Sequence, residues 1–329
     1  MVARRTGVLR ARSESSARSL QAIDFREARL IAGRACLSWW RGLVGSESHR
    51  VISCDLEFDV TEDAAMVFQV AAAASAGSVI TEKLEIVGDS VAGASMREIS
   101  GPHGGRLHLL QAAIGRLSLS YRAEIDVAKA PSDQPLTSDP ELQSLIPSAE
   151  FSEVLYRRPS RYCPTDRLLG FALSEFGIAG EGFVGVQAIV DWIRRRIEYL
   201  PGSGTVRDSA EDTLLTGMGT CRDFAHLGVA LCRAVGIPAR FVAVYAPGLT
   251  PMDFHAVFEA RQENQWCVFD PTGLAPRQAM VRIVTGRDAA DAAFASVERG
   301  YARLVSIDVT AVVGSSLPAD DLRQLVVLA

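Results

Sequence analysis

The stretch that decides the fold is Gly217–Ala246, which reads GMGTCRDFAHLGVALCRAVGIPARFVAVYA. Its apolar and small residues recur at the spacing of one face of an α-helix, from Cys221 to Val235. Thr220, followed three positions later by an acidic residue, matches the capping pattern of a helix start. Gly236 and the proline shortly after it mark the end. The sequence therefore predicts a helix that begins at Cys221.

Cys221 is expected where unpaired backbone N–H groups and the positive end of the helix dipole favour a thiolate, the reactive form of cysteine. Gly217 and Gly219 would let the chain turn tightly and let a substrate approach the backbone. The same N–H groups could form an oxyanion hole. A cysteine in an apolar stripe can also be a plain core residue, as we expect for Cys232 about three turns further on.

Two predicted strands follow the helix, Phe254–Arg261 (FHAVFEAR) and Gln265–Asp270 (QWCVFD), and they are expected to form a hairpin. A two-residue loop at Glu263–Asn264 places His255 and Asp270 on the same sheet face, as opposite or diagonal neighbours. A regular three-residue loop would place them on opposite faces unless a bulge restored the parity. The pattern permits the pair without proving it.

The order cysteine, histidine, aspartate along the chain suggests a nucleophilic triad. Cys221 would be the nucleophile, His255 the base and Asp270 the group that orients the histidine. Other interpretations stay open, because His255 could be a half-buried structural histidine and Asp270 a turn residue before Pro271. The other polar and aromatic candidates are expected to have structural roles or have open ones. His226 is expected to pack and Asp223 to cap the helix. Tyr162 and Trp266 could line a cleft or lie in the core, and Arg287 could pair with Asp288 or with a neighbouring loop.

These segments resemble the transglutaminase-like superfamily, specifically its bacterial members that are provisionally labelled cysteine proteases. The matching stretches are GMGTCRDFAHLGVALCRAVGIPARFVAVYA, DFHAVFEA and WCVFDPT, flanked by RRPSRYCPTDRL and TGRDAADAAFAS. The resemblance covers roughly residues 51–309. It implies an α+β, papain-like or transglutaminase-like catalytic domain in which Cys221, His255 and Asp270 match the catalytic positions of the family. One departure is Val257, where many relatives have an aromatic residue.

The chain is expected to have two domains. The segments VISCDLEFDV, VITEKLEIV and RLSLSYRAEIDV read as strands and predict an antiparallel β-sandwich domain over residues 51–130. A proline-rich linker is expected at 131–150 and the catalytic domain at 151–313. Residues 1–50, which have no counterpart in the family, are expected to be a disordered or partly helical tail, and residues 314–329 a short tail.

Composition narrows the class of protein. The chain has 329 residues and a net charge of −5, which argues against a nucleic-acid surface. No uninterrupted apolar run approaches the ~20 residues of a membrane span. The six cysteines contain no CxxC pair, so they predict neither a disulfide framework nor a zinc site, and they fit a reducing cytoplasm.

The expected function is cysteine-dependent acyl transfer through an acyl-thioester on Cys221. Water as the acceptor gives a peptidase or amidase, which we favour, and an amine gives a transglutaminase. The expected partner is a protein or peptide substrate, with no cofactor, metal, nucleic acid or membrane. A non-catalytic peptide-binding module remains an alternative, since some relatives that have lost a triad residue serve in that way.

Overall fold

The structure is a computed structural model that describes residues 47–91, 95–101, 104–127, 149–177, 183–262 and 265–328. Most of the predicted amino-terminal tail (1–50) and of the predicted linker (131–150) lies outside these residues. In the described stretches the strands are β1 (His49–Phe68), β2 (Ser78–Val87), β3 (Arg97–Ser100), β4 (Arg106–Ala112), β5 (Gly115–Asp126), β6 (Glu198–Tyr199), β7 (Met218–Gly219), β8 (Ala239–Tyr245), β9 (Phe254–Gln262), β10 (Gln265–Phe269), β11 (Val281–Gly286) and β12 (Ala295–Val313). The helices are α1 (Ala149–Leu155), α2 (Thr165–Phe176), α3 (Phe183–Arg196), α4 (Ala210–Thr216) and α5 (Cys221–Ala234).

β1 is the central strand of the larger sheet. β5 pairs with its residues His49–Val60 and β4 with Ala64–Phe68. β12 pairs along the opposite edge of β1 over almost its whole length. The order is β2-β5-β1-β4-β3, with β12 beside β1, and all pairs are antiparallel. Alternate β1 residues such as Ile52 and Cys54 are buried, because side chains of a strand point to its two faces in turn.

The strands predicted in the amino-terminal half are present as β1, β2 and β5, but a separate β-sandwich before the catalytic domain is not confirmed. β12 lies within the predicted catalytic range 151–313 and completes the same sheet. The two sheets also share a core, since the Tyr245 hydroxyl donates to the Val70 carbonyl at 2.8 Å and the Tyr245 ring stacks on Tyr121, with centroids 6.4 Å apart. The predicted division into domains stays a prediction.

The smaller sheet carries the order β10-β9-β8-β11, and α5 packs against β9. The helix approaches the strand closely at Gly228, where an added Cβ would lie 2.5 Å from the Phe258 ring. The other face of α5 contacts α2, α3 and α4. This packing fixes the start of α5 relative to β9 and β10, the strands expected to carry the histidine and the aspartate.

Residues 314–328, predicted as a tail, pack against β10. The Val326 carbonyl accepts a hydrogen bond from the Val268 N–H at 2.8 Å, and Val326 and Leu328 are buried. Asp320 forms a buried ion pair with Arg277 at 2.8 Å, and Arg277 also donates to the Val268 carbonyl. This segment therefore covers the edge strand of the smaller sheet. None of the helices in the described stretches is long and apolar enough to span a bilayer.

Candidate active site

The start of α5 agrees with the sequence prediction. Thr220 is the N-cap, with extended backbone, and Cys221 is the first helical residue. The Asp223 carboxylate accepts hydrogen bonds from the Thr220 N–H and the Thr220 hydroxyl, each at 2.9 Å. At the other end, Gly236 has a φ of +87°, which a side chain would strain. The Ile237 N–H reaches back to the Cys232 carbonyl at 2.9 Å, which closes the helix in a Schellman motif.

The segment before Cys221 is fixed from two sides. β7 pairs with β6 in parallel, and the Leu200 N–H donates to the Gly219 carbonyl at 3.0 Å. The Arg222 guanidinium donates to the backbone carbonyls of three residues in the 205–208 loop and lies over the Tyr162 ring at 4.5 Å. The nucleophile candidate therefore sits on a braced turn.

Gly219 is required by this turn. A Cβ at Gly219 would lie 2.7 Å from the Asp223 Cβ, so the capping side chain or the backbone must move. We expect Gly219→Ala to destabilise the protein by about 1–3 kcal/mol and to lower turnover by up to about 100-fold, through a displaced Cys221. Thermal unfolding and a peptide-cleavage assay check this. Gly170→Ala is the control, because nothing lies within 4 Å of a Cβ there, and equal effects of the two changes would contradict the prediction.

The hairpin carries the histidine and the aspartate in the predicted register. Gln262 lies opposite Gln265 and Phe258 opposite Phe269, which is the register of a two-residue loop. His255 and Asp270 are therefore diagonal neighbours on one face, and His255 Nε2 lies 2.9 Å from Asp270 Oδ2. Both side chains are buried. The prediction that the hairpin brings these two residues together is confirmed.

Cys221 lies close enough to His255 to contribute to the raised pKa of the histidine. Because Nε2 is engaged by Asp270, Nδ1 is the ring nitrogen that remains for the thiol. Nδ1 has no hydrogen-bond partner among the residues that the structure describes. The structure thus brings all three predicted site residues together, in the order Cys221, His255, Asp270.

The charges of the pair favour an imidazolium beside a carboxylate. Burial alone would lower the pKa of His255, but the charge and hydrogen bond of Asp270, together with Cys221, raise that pKa above its ordinary value. Burial alone would raise the pKa of Asp270, but His255 and the hydrogen bonds of Thr272 lower it. At neutral pH His255 is therefore protonated beside an ionised Asp270.

The other described cysteines are unsuited to this chemistry. Cys54, Cys163, Cys232 and Cys267 are buried, whereas Cys221 is half-buried. Burial raises the pKa of Cys54 and of Cys163 to about 12, so both stay protonated at neutral pH. Cys232 lies in the core, as the sequence predicts.

The remaining candidates are structural. His226 is fully buried between the rings of Tyr162 and Phe241, with centroids 5.2 Å and 5.1 Å away. Trp266 packs on Tyr156 and under Arg240, which are no part of the triad. Arg287 and Asp288 bond to different partners. Arg287 pairs with Asp291 at 2.8 Å, and the Asp288 carboxylate accepts from the Tyr162 N–H at 2.8 Å. Across the described residues, no group of three His, Cys, Asp or Glu is placed to hold a metal ion.

Sequence reasoning missed Thr272 and Arg222. Thr272 donates its backbone N–H and its hydroxyl to Asp270 Oδ1 at 2.8 Å and 2.6 Å. The only signal for Thr272 in the sequence is its place two residues after the aspartate, where a polar side chain can bond back. Nothing in the sequence signals the contacts of Arg222, because its partners are backbone carbonyls.

The class of protein follows from this fold and site. The model of the Transglutaminase-like superfamily matches residues 179–271, which include all three site residues. A crystal structure from Cytophaga hutchinsonii, of a protein provisionally named a cysteine protease, is 36% identical with a TM-score of 0.69, over 83% of this chain and 91% of that chain. The chain belongs to the transglutaminase-like superfamily.

A second relative is the uncharacterized protein ML0607 of Mycobacterium leprae (strain TN). It is 30% identical over 161 residues, which cover 46% of this chain and 57% of ML0607. This chain therefore spans little more than half the length of that relative. The resemblance stated from the sequence motifs is confirmed by the family match and by the Cytophaga structure.

Proposed function

We propose that this protein is a cysteine-dependent acyl-transfer enzyme, a peptidase or amidase that works through an acyl-thioester on Cys221. The observation that carries the proposal is the position of His255. His255 bonds to Asp270 at 2.9 Å through Nε2, both side chains are buried, and the half-buried Cys221 lies close enough to contribute to the raised pKa of His255. A buried imidazolium that joins a thiol to a carboxylate is the arrangement that a thiolate nucleophile needs.

In the proposed first half-reaction, the Cys221 thiolate attacks the carbonyl carbon of an amide. The carbon–nitrogen bond breaks, the amine leaves with a proton from His255, and the acyl group stays on sulfur as a thioester. Backbone N–H groups in the first turn of α5 stand where they could bind the oxyanion. In this scheme His255 carries a proton at the start, so the histidine acts first as an acid and then, in the second half-reaction, as a base.

In the second half-reaction, water attacks the thioester and gives its proton to His255. The acid leaves, and the thiolate and the imidazolium are restored. Asp270 stays ionised throughout and holds the ring in the orientation that presents Nδ1 to sulfur. An amine in place of water would give a transglutaminase, and we favour hydrolysis because water needs no dedicated acceptor site. A protein or peptide substrate fits the provisional name of the Cytophaga relative.

Selective alkylation tests the activated thiol without a known substrate. At pH 6 we expect iodoacetamide to modify Cys221 about tenfold or more faster than free glutathione in the same tube, because the neighbouring imidazolium stabilises the thiolate. Peptide mass mapping assigns the modified cysteine, and the buried Cys54 and Cys163 should remain unmodified. A Cys221 rate no higher than that of glutathione would sink the proposal and favour a non-catalytic binding module.

A further inference from the structure

The second oxygen of the Asp270 carboxylate has its own partners. Oδ2 bonds to His255, and Oδ1 accepts from the Thr272 N–H at 2.8 Å and from the Thr272 hydroxyl at 2.6 Å. The Thr272 hydroxyl oxygen in turn accepts from the Leu274 N–H at 3.3 Å. The hydroxyl proton therefore points to Asp270, because an ionised carboxylate can only accept a hydrogen bond, and the hydroxyl oxygen accepts from Leu274.

We infer that Thr272 is a positioning residue of the site, which holds Asp270 in the orientation that His255 requires and keeps its carboxylate ionised. This inference rests on the proposed function. Thr272 touches no reacting atom, so it would act only through Asp270.

The location of Asp270 explains why it needs this support. β10 ends at Phe269, so the aspartate lies just past the hydrogen-bonded ladder of the hairpin. A carboxylate on such a turn can rotate about its side-chain bonds unless both oxygens are held. Asp270 is 1% exposed, and a buried carboxylate without partners would favour its protonated form. Two donors on Oδ1 meet both needs.

Charged and titratable groups reach this turn from several parts of the fold. His255 of β9 and Cys221 of α5 lie on the triad side. Arg194 of α3 donates to the Pro271 carbonyl at 3.4 Å, and Arg277, paired with Asp320, donates to the Val268 carbonyl. Both arginines therefore bond backbone oxygens one or two residues from Asp270, and not its carboxylate. Among the side chains that the structure describes, those recorded as bonded to the Asp270 carboxylate are His255 and Thr272.

Thr272→Val isolates the hydroxyl, because valine has nearly the same shape and keeps the backbone N–H bond. We expect kcat to fall about 10- to 100-fold with KM unchanged, as for a lost hydrogen bond to a charged group. Loss of this donor makes Asp270 easier to protonate, so the acid limb of the pH–rate profile should move to higher pH. Thr272→Ser keeps the hydroxyl and should restore both the rate and the acid limb.

Thr165→Val is the matched control. The Thr165 hydroxyl is buried and donates to the Cys163 carbonyl at 3.2 Å, and not to Asp270. The Thr165→Val variant should be less stable than the wild-type protein, and the acid limb of its pH–rate profile should not move. An acid limb unchanged in Thr272→Val, or a defect that Thr272→Ser fails to rescue, overturns the inference.

The rate of Cys221 alkylation against pH separates the two proposals. If the wild-type protein shows an acid-shifted profile and Thr272→Val shows the same profile, only the role of Thr272 fails. If the wild-type Cys221 titrates like a free thiol, the proposed function fails, and the inference fails with it. An acid-shifted profile that moves to higher pH in Thr272→Val supports both.

Discussion

Cys221→Ala is expected to lower amide or peptide hydrolysis by at least ~10⁴-fold, since no other described thiol can replace it as nucleophile. The residual rate would come from substrate binding and from the backbone N–H groups at the start of α5. An unbiased profile of peptide cleavage, run first with the wild-type protein, supplies the substrate for the measurement. Fluorescent leaving groups then give kcat and KM for the variant.

Cys232→Ala is the matched control, because it lies in the same helix and is fully buried. Cys232→Ala should lower stability by leaving a small cavity, and the folded variant should retain most of the wild-type activity. Circular dichroism and thermal unfolding of both variants separate loss of fold from loss of the thiol. Retained hydrolysis in a folded Cys221→Ala protein would show that Cys221 is not the nucleophile.

The same pair of variants distinguishes hydrolysis from amine transfer. The wild-type protein is incubated with a glutamine-rich protein and a fluorescent amine, and incorporation is followed on gels. We expect peptide or amide cleavage without incorporation. If the amine is incorporated, and Cys221→Ala abolishes this incorporation while Cys232→Ala preserves it, the protein is a transglutaminase-type enzyme with Cys221 as its nucleophile and not a hydrolase.

The local parts of the site could be predicted from the sequence because each depends on short-range rules. The start of α5 follows from capping residues and helix spacing, and the pairing of His255 with Asp270 follows from loop length and strand parity. Both are set within about 20 residues of chain. The register that the structure shows is the one predicted from a two-residue loop.

The long-range parts could not be predicted in this way. The alternation in the amino-terminal strands identifies them as strands but does not identify their partners. The pairing of β1 with β12 joins residues separated by more than 200 positions, such as Arg50 and Val313. The strands of the expected β-sandwich therefore share their sheet with a strand from the carboxyl-terminal part of the chain. The sharing of the Asp270 carboxylate between His255 and Thr272 depends on side-chain geometry that no spacing rule gives.

The protonation of His255 also depends on three-dimensional packing. The sequence predicts a histidine and an aspartate on one face of the sheet. How strongly each shifts the pKa of the other depends on how deeply the pair is buried. With both groups buried, the ion pair outweighs the desolvation of the imidazole and the pKa of His255 rises. Under the proposed function, a histidine that is already charged would act first as an acid.

Asp270→Asn is expected to lower turnover roughly 10²- to 10⁴-fold while leaving Cys221 in place. Without the carboxylate, burial dominates and lowers the pKa of His255, so the imidazolium is lost at neutral pH. The Cys221 alkylation profile should therefore move to higher pH, toward that of a free thiol, whereas Asp288→Asn should leave it unchanged. Asp288 is equally buried but accepts hydrogen bonds from the Tyr162 and Ala290 N–H groups and not from His255.

The pH dependence of stability gives an independent check on the same pair. His255, whose pKa is raised by folding, stabilises the native state fully below its unfolded pKa of about 6.5 and loses this effect as pH rises through the folded pKa. Asp270, whose pKa is lowered, stabilises above its unfolded pKa of about 3.9 and loses this effect as pH falls through the folded pKa. The difference in the free energy of unfolding between wild type and Asp270→Asn should therefore be largest between pH ~4 and pH ~6.5 and shrink at alkaline pH. Urea unfolding across this range measures it, and a difference that is flat from pH 4 to pH 10 would mean that the two side chains do not form an ion pair.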